Sequence, residues 1–158
     1  MYPEAAARIR LFHGDLPSYV RHEMLTNTQS RYIVHHDGAH DFNQVVKDMA
    51  SLSFVKDKIE AIIAQDTHLR GTIEHMNFVD MALFAVSGMD LKFAPIGEVY
   101  PESPMTQPNV YQGNYFMPNA AEGVVLPMAA NTFRYPHPML PMNDFLPPAI
   151  EAAPASAD

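Results

Sequence analysis

The chain has 158 residues, a formal net charge of −8 at pH 7 and no cysteine. The lack of cysteine excludes disulfide scaffolds and thiolate catalysis. Binding to a phosphate backbone needs clustered Lys and Arg, and the ten basic residues here are scattered. We therefore expect no nucleic-acid partner. The same shortage of basic residues, and the lack of an apolar run of roughly 20 residues, predict no membrane partner.

The first 40 residues predict two short helices and a strand. Pro3 suits the first turn of a helix that Gly14 would end, and a second helix is predicted over residues 15–25. Residues 31–35 have the β-branched and aromatic content of a strand, which the turn at Asp37-Gly38 would close.

The longest helical pattern covers residues 41–65, where apolar side chains recur at steps of three and four. Asp41 is placed to cap this helix, and Gln44 would complete a capping box. A second amphipathic helix is predicted over residues 68–86, with Gly88 as its left-handed stop. Two such helices joined by a tight turn predict an antiparallel helical hairpin.

The character of the sequence changes after residue 90. Twelve of the fourteen prolines lie between Pro95 and Pro154, and proline cannot continue a helix. Short apolar runs in this part predict two small β ribbons, which pair residues 91–93 with 98–100 and 114–117 with 123–126.

These patterns predict a mainly α N-terminal half followed by an extended arm. The first unit, residues 1–90, would be a small helical domain in which the antiparallel hairpin joins shorter helices. The second unit, residues 91–158, would be an extended, proline-rich C-terminal arm carrying short β ribbons.

The predicted arm holds half of the aromatic residues of the chain together with five methionines. Such side chains gain roughly 1.5–3 kcal/mol each when they are buried. A proline-broken segment has few ways to build a core of its own, so grooves on other protein subunits are the favoured place for them. The residues predicted to bind partners are Tyr111, Tyr115, Phe116, Met117, Phe133, Tyr135, Met139, Met142 and Phe145.

Histidines are the candidate metal ligands. His36 and His40, with Asp37 or Asp41, would form the best cluster that the sequence offers. No His-Glu-x-x-His or Glu-x-x-His pattern accompanies them, so they are interpreted as surface and capping residues. No nucleophile elbow or phosphate-binding loop is present either. We therefore expect no bound metal, no cofactor and no enzyme activity.

The sequence thus favours a structural subunit of a large assembly that holds neighbouring protein subunits together through its arm. A virion component fits this description best, as a minor capsid, cement or connector protein of a bacteriophage. Two alternatives stay open. One is an accessory subunit of a cellular enzyme complex, which would be cytoplasmic, and the other is a small metal-binding protein or enzyme that uses the histidines.

Overall fold

A computed structural model describes residues 6–69, 77–100, 120–135 and 146–147, with the backbone alone at 99, 100 and 120. Within these ranges the chain forms three α-helices, four β-strands and short π-helical or 3₁₀ segments. In chain order they are α1 (Leu16–Tyr19), a π-helical turn (Val20–Met24), β1 (Tyr32–His36), α2 (Phe42–Leu52), a 3₁₀ segment (Ser53–Lys58), β2 (Ile59–Gln65), α3 (Val79–Ser87), β3 (Ala94–Tyr100), β4 (Ala120–Pro127) and a 3₁₀ turn (Met128–Ala130).

The four strands form one mixed sheet in the order β1, β2, β4, β3. β1 and β2 are parallel, and α2 lies between them in the chain, so these three elements make a βαβ unit. β4 is antiparallel to both β2 and β3 and lies between them. The chain therefore returns from β3 into the middle of the sheet.

One face of the sheet packs against the helices. Ile62 and Ala64 of β2 lie opposite Leu126 and Val124 of β4, and all four side chains are buried. Helical residues complete the same core: Val20, Met24, Val45, Met49, Leu52, Val79, Ala82, Leu83 and Val86. The result is a two-layer α/β arrangement. In the part of the chain that is described, no helix is both long and apolar enough to cross a membrane.

The predicted fold class is wrong, because the helical pattern over residues 41–65 covers two kinds of element. α2 ends at Leu52, Val55 leaves helical geometry with φ −126° and ψ 20°, and β2 begins at Ile59. The end of this stretch is rich in isoleucine, whose β-branched side chain favours a strand. The helical hairpin is therefore replaced by a helix and a strand.

Residues 70–76 of the second predicted helix lie outside the described ranges, and the described part is helical only from Val79. Asn77 forms an isolated β-bridge with Asp41, Phe78 has non-helical backbone angles, and α3 begins only at Val79. Gly88 follows α3 at the predicted stop with a positive φ of 96°, although its ψ of 167° is extended rather than left-handed helical. The first predicted helix does not extend over residues 9–13, which have no regular secondary structure.

The first of the two predicted ribbons is wrong. Residues 98–100 belong to β3 and pair with β4 rather than with residues 91–93, and residues 123–126 lie within β4. Residues 114–117 lie outside the described ranges. Residues 94–100 and 120–127 are thus parts of the same sheet as β1 and β2, while an interaction role for the rest of the segment 91–158 stays a prediction.

Candidate functional site

The carboxyl ends of β1 and β2 meet at one edge of the sheet, because the two strands are parallel. Asp37 follows the last residue of β1, and Asp66 follows the last residue of β2. Residues 37–41 form the turn that leads from β1 into α2, and His40 lies in this turn. Ligands of open α/β sheets bind at this kind of edge.

Asp37, His40 and Asp66 form a compact cluster at this edge. The Nε2 atom of His40 lies 2.9 Å from Asp66 Oδ2 and 3.8 Å from Asp37 Oδ1. One ligand atom from each residue lies within 4.8 Å of the other two. An ion bound about 2.1 Å from each ligand atom places neighbouring ligand atoms about 3–4 Å apart. The two separations at His40 therefore suit a single small cation.

The imidazole of His40 has a buried Nε2 atom that makes no hydrogen bond within the described residues. Its 2.9 Å approach to the carboxylate of Asp66 thus lacks the alignment of a hydrogen bond. A plain His–Asp ion pair is stabilised by such alignment. A metal ion instead uses the lone pair of the nitrogen, and a misaligned nitrogen between two carboxylates is consistent with that use.

Asp66 is held in an uncommon backbone conformation. Its φ is 58°, and it is the only described residue other than glycine with a positive φ. Its backbone N–H donates to the carbonyl of Glu122 at 2.6 Å, and the adjacent Thr67 hydroxyl donates to the carbonyl of Ala121 at 2.8 Å. These bonds to β4 fix the place of the Asp66 carboxylate. Sparsely populated backbone conformations of this kind cluster at functional sites.

A cavity of about 660 Å³ borders the cluster and shares Asp37 with it. This volume lies within the range of small-molecule sites. The described residues around the cavity include four carboxylates and neither Lys nor Arg. They are Gly14, Asp15, Leu16, Val34, His35, His36, Asp37, Gly38, Ala39, Asp41, Gln44 and Asp48. The lining therefore favours cations over anions.

The structure brings some of the metal-binding candidates from the sequence together and separates the others. His40 and Asp37 come together, whereas the side chain of His36 is only 5% exposed and pairs with Asp48 on α2. Asp41 caps α2 by accepting a hydrogen bond from the backbone N–H of Gln44 at 3.0 Å. The predicted cap is therefore confirmed. The Gln44 side chain donates to Asp48 Oδ1 through its Nε2 atom, and the reciprocal half of the capping box stays a prediction.

Sequence reasoning missed Asp66 as a member of the cluster. It lies 26 positions after His40 in the chain, so no short motif contains both residues. The available signal was a polar residue directly after an apolar, β-branched run, which suits the carboxyl end of a strand. That signal was not recognised, because the run was interpreted as the end of a helix.

The residues predicted to bind partners are mostly outside the described ranges: Tyr111, Tyr115, Phe116, Met117, Met139, Met142 and Phe145. Phe133 is half-buried and packs against the core of its own sheet and helices. Tyr135 is 40% exposed, and its backbone N–H donates to the carbonyl of Val86 at 3.0 Å. The two described members thus lie close to the folded core, and the partner contacts of the whole set stay a prediction.

Comparison with known proteins supplies no relative for this chain. No family model, no curated protein and no solved structure matches it.

Proposed function

We propose that the protein binds one divalent metal ion through Asp37, His40 and Asp66. The observation that supports this proposal best is the mutual approach of three ligand atoms to within 4.8 Å at the carboxyl edge of two parallel strands. The two carboxylates balance the charge of a dication. The proposed role is binding, and no catalytic step is part of it.

The ligand set selects among the common divalent ions. One imidazole nitrogen with two carboxylate oxygens suits Mn²⁺, Fe²⁺ or Zn²⁺. Ca²⁺ needs about six to eight oxygen ligands, which is more than these three side chains provide. Three protein ligands also leave coordination positions open, and the shared residue Asp37 places the ion beside the cavity. Water or a small molecule in the cavity would fill those positions.

Calorimetric titration of the untagged full chain with Mn²⁺ and with Zn²⁺ tests the proposal. We expect one ion per chain, and we expect His40→Ala to weaken the affinity by more than about 100-fold, since even partners of the ligands typically contribute 10–100-fold. His13→Ala is the matched control, because His13 is an exposed histidine outside both the cluster and the cavity lining. An absence of binding, or equal losses in both variants, would contradict the proposal.

Two Asp→Asn substitutions, one inside and one outside the cluster, give a second, independent comparison. Asp66→Asn keeps a residue that tolerates a positive φ and removes only the charge. Asp57→Asn removes an exposed carboxylate of the 3₁₀ segment that precedes β2, whereas Asp66 follows the opposite end of that strand. We expect the first variant to lose the ion and the second to retain it.

We also propose, as a second function, that the chain is a subunit of a large assembly, with a virion as the favoured location. The observation that supports it is an exposed apolar segment near the N-terminus. Leu11 is 95% exposed and Ile9 is 66% exposed, and Ile33 on the edge strand β1 is 68% exposed. Ile9 and Leu11 lie two positions apart in the chain, and exposed apolar patches mark surfaces that bind other proteins.

Gradient sedimentation of extracts from producing cells tests the assembly proposal. We expect the protein in a fast-sedimenting fraction and Leu11→Asp in the slow fraction, because the new charge would oppose burial of this side chain in an interface. Asp57→Asn serves again as the control and should sediment like the original protein. A protein that stays entirely in the slow fraction would contradict the assembly function without affecting the metal proposal.

A further inference from the structure

His36 and Asp48 form a buried pair, and His36 directly precedes the turn of residues 37–41 that contains His40. The two side chains are only 5% and 8% exposed, and His36 Nε2 lies 3.0 Å from Asp48 Oδ2. The other oxygen of Asp48 accepts a hydrogen bond from the Gln44 side chain at 2.7 Å. Both oxygens of this carboxylate are thus occupied. A buried charge with such partners is costly to leave unpaired.

The pair spans the ligand turn. His36 is the last residue of β1, Asp48 lies in the middle of α2, and residues 37–41 are the chain between the two elements. At the far end of the turn, Asp41 caps α2 through the backbone N–H of Gln44. Gln44 therefore binds Asp41 with its backbone and Asp48 with its side chain, so both ends of the turn are attached to α2.

The middle of the turn has little packing of its own. Residues 37–39 are all exposed, and a Cβ added at Gly38 would meet no heavy atom within 4 Å. The position of Asp37 relative to His40 is consequently set by the attachments at the two ends. The attachment next to Asp37 is the buried His36–Asp48 pair, because His36 directly precedes Asp37 in the chain.

We propose that His36 is the positioning residue of the metal site, holding the Asp37 end of the turn against α2 through Asp48. This inference rests on the proposed metal-binding function. Without the pair, Asp37 is free to move away from His40 and Asp66, and the three ligand atoms no longer meet around one ion. Residues that orient metal ligands typically contribute 10–100-fold in affinity.

Two substitutions at His36 separate positioning from general stability. His36→Leu removes the donor to Asp48, whereas His36→Gln retains an amide N–H close to the place of Nε2. We expect His36→Leu to weaken Mn²⁺ binding by about 10–100-fold. We expect His36→Gln to stay within about threefold of the original protein. The d–d absorption spectrum of bound Co²⁺ should change in the leucine variant alone, because it reports the ligand geometry around the ion.

Val86→Ala is the matched control, because it makes a cavity in α3 at a fully buried side chain outside the turn. It should lower stability and leave the affinity and the Co²⁺ spectrum unchanged. Unaltered binding by His36→Leu would overturn the inference, and so would an equal loss in Val86→Ala. If the original protein binds none of these ions, the proposed function fails first and this inference fails with it.

Discussion

Asp15 shows how one side chain ties two helices together. Its carboxylate caps α1 by accepting from the backbone N–H of Ser18 at 3.0 Å and from the Ser18 hydroxyl at 2.6 Å. The second oxygen accepts from the Lys47 ammonium of α2 at 3.1 Å. The hydrogen bond from the Ser18 hydroxyl, followed by the Ser18 backbone and Lys47, lowers the pKa of Asp15 below its ordinary value.

The lowered pKa of Asp15 predicts a pH-dependent contribution to stability. A carboxyl group with a depressed folded-state pKa stabilises the protein above its ordinary pKa of about 3.9 and loses this effect as the pH falls through the folded-state value. Asp15→Asn keeps a capping oxygen but not the charge. We expect it to be less stable than the original protein at pH 7 in urea melts, with the difference shrinking below about pH 4. A difference that is constant from pH 7 to pH 3 would contradict this assignment.

At the scale of elements, β2 is the part of the fold that the sequence pattern predicts wrongly. Its apolar residues continue the helical spacing of α2, and short apolar runs of this kind cannot be assigned to helix or strand by periodicity alone. The cap at Asp41, the strand β1 and the stop at Gly88 were predictable, because each depends on local chemistry. The pairing of β2 with β1 and β4 depends on residues far apart in the chain, and no local pattern encodes it.

The contact between β2 and β4 gives a prediction at this scale. A Cβ added at Gly123 would lie 2.9 Å from the backbone carbonyl oxygen of Ala64, which cannot move aside without shifting the strand. We expect Gly123→Ala to lower the free energy of unfolding by about 1–3 kcal/mol through this overpacking. Gly38→Ala, which meets open space, should change it by less than about 0.5 kcal/mol. Denaturant melts in which the two variants behave alike would contradict the strand register.

At the scale of the whole molecule, the parallel pairing of β1 and β2 creates the candidate site. Asp37 and His40 belong to one turn and were recognisable as polar candidates in the sequence. Asp66 joins them only because β2 lies beside β1 in the sheet. The site could therefore be predicted in part, and the remaining ligand required the tertiary structure.

The C-terminal part of the chain also contributes to the whole core. Leu146 is 2% exposed and packs with the buried residues of the helices and strands, and Arg21 donates to the carbonyl of Pro147 at 2.8 Å. We expect Leu146→Ala to cost about 2–5 kcal/mol of unfolding free energy through lost burial and a cavity. Ile33→Ala, at a side chain that is 68% exposed, should cost less than about 0.5 kcal/mol. Equal urea midpoints for the two variants would show that Leu146 does not stabilise the core.

Anomalous diffraction from a Mn²⁺-soaked crystal shows directly whether Asp37, His40 and Asp66 bind one metal ion. We expect a single strong anomalous peak about 2.0–2.3 Å from an oxygen of each aspartate and from Nε2 of His40. The peak should be absent from crystals of His40→Ala grown and soaked in the same way. A fully soaked crystal of the original protein with no peak at these three side chains would show that they do not bind the ion.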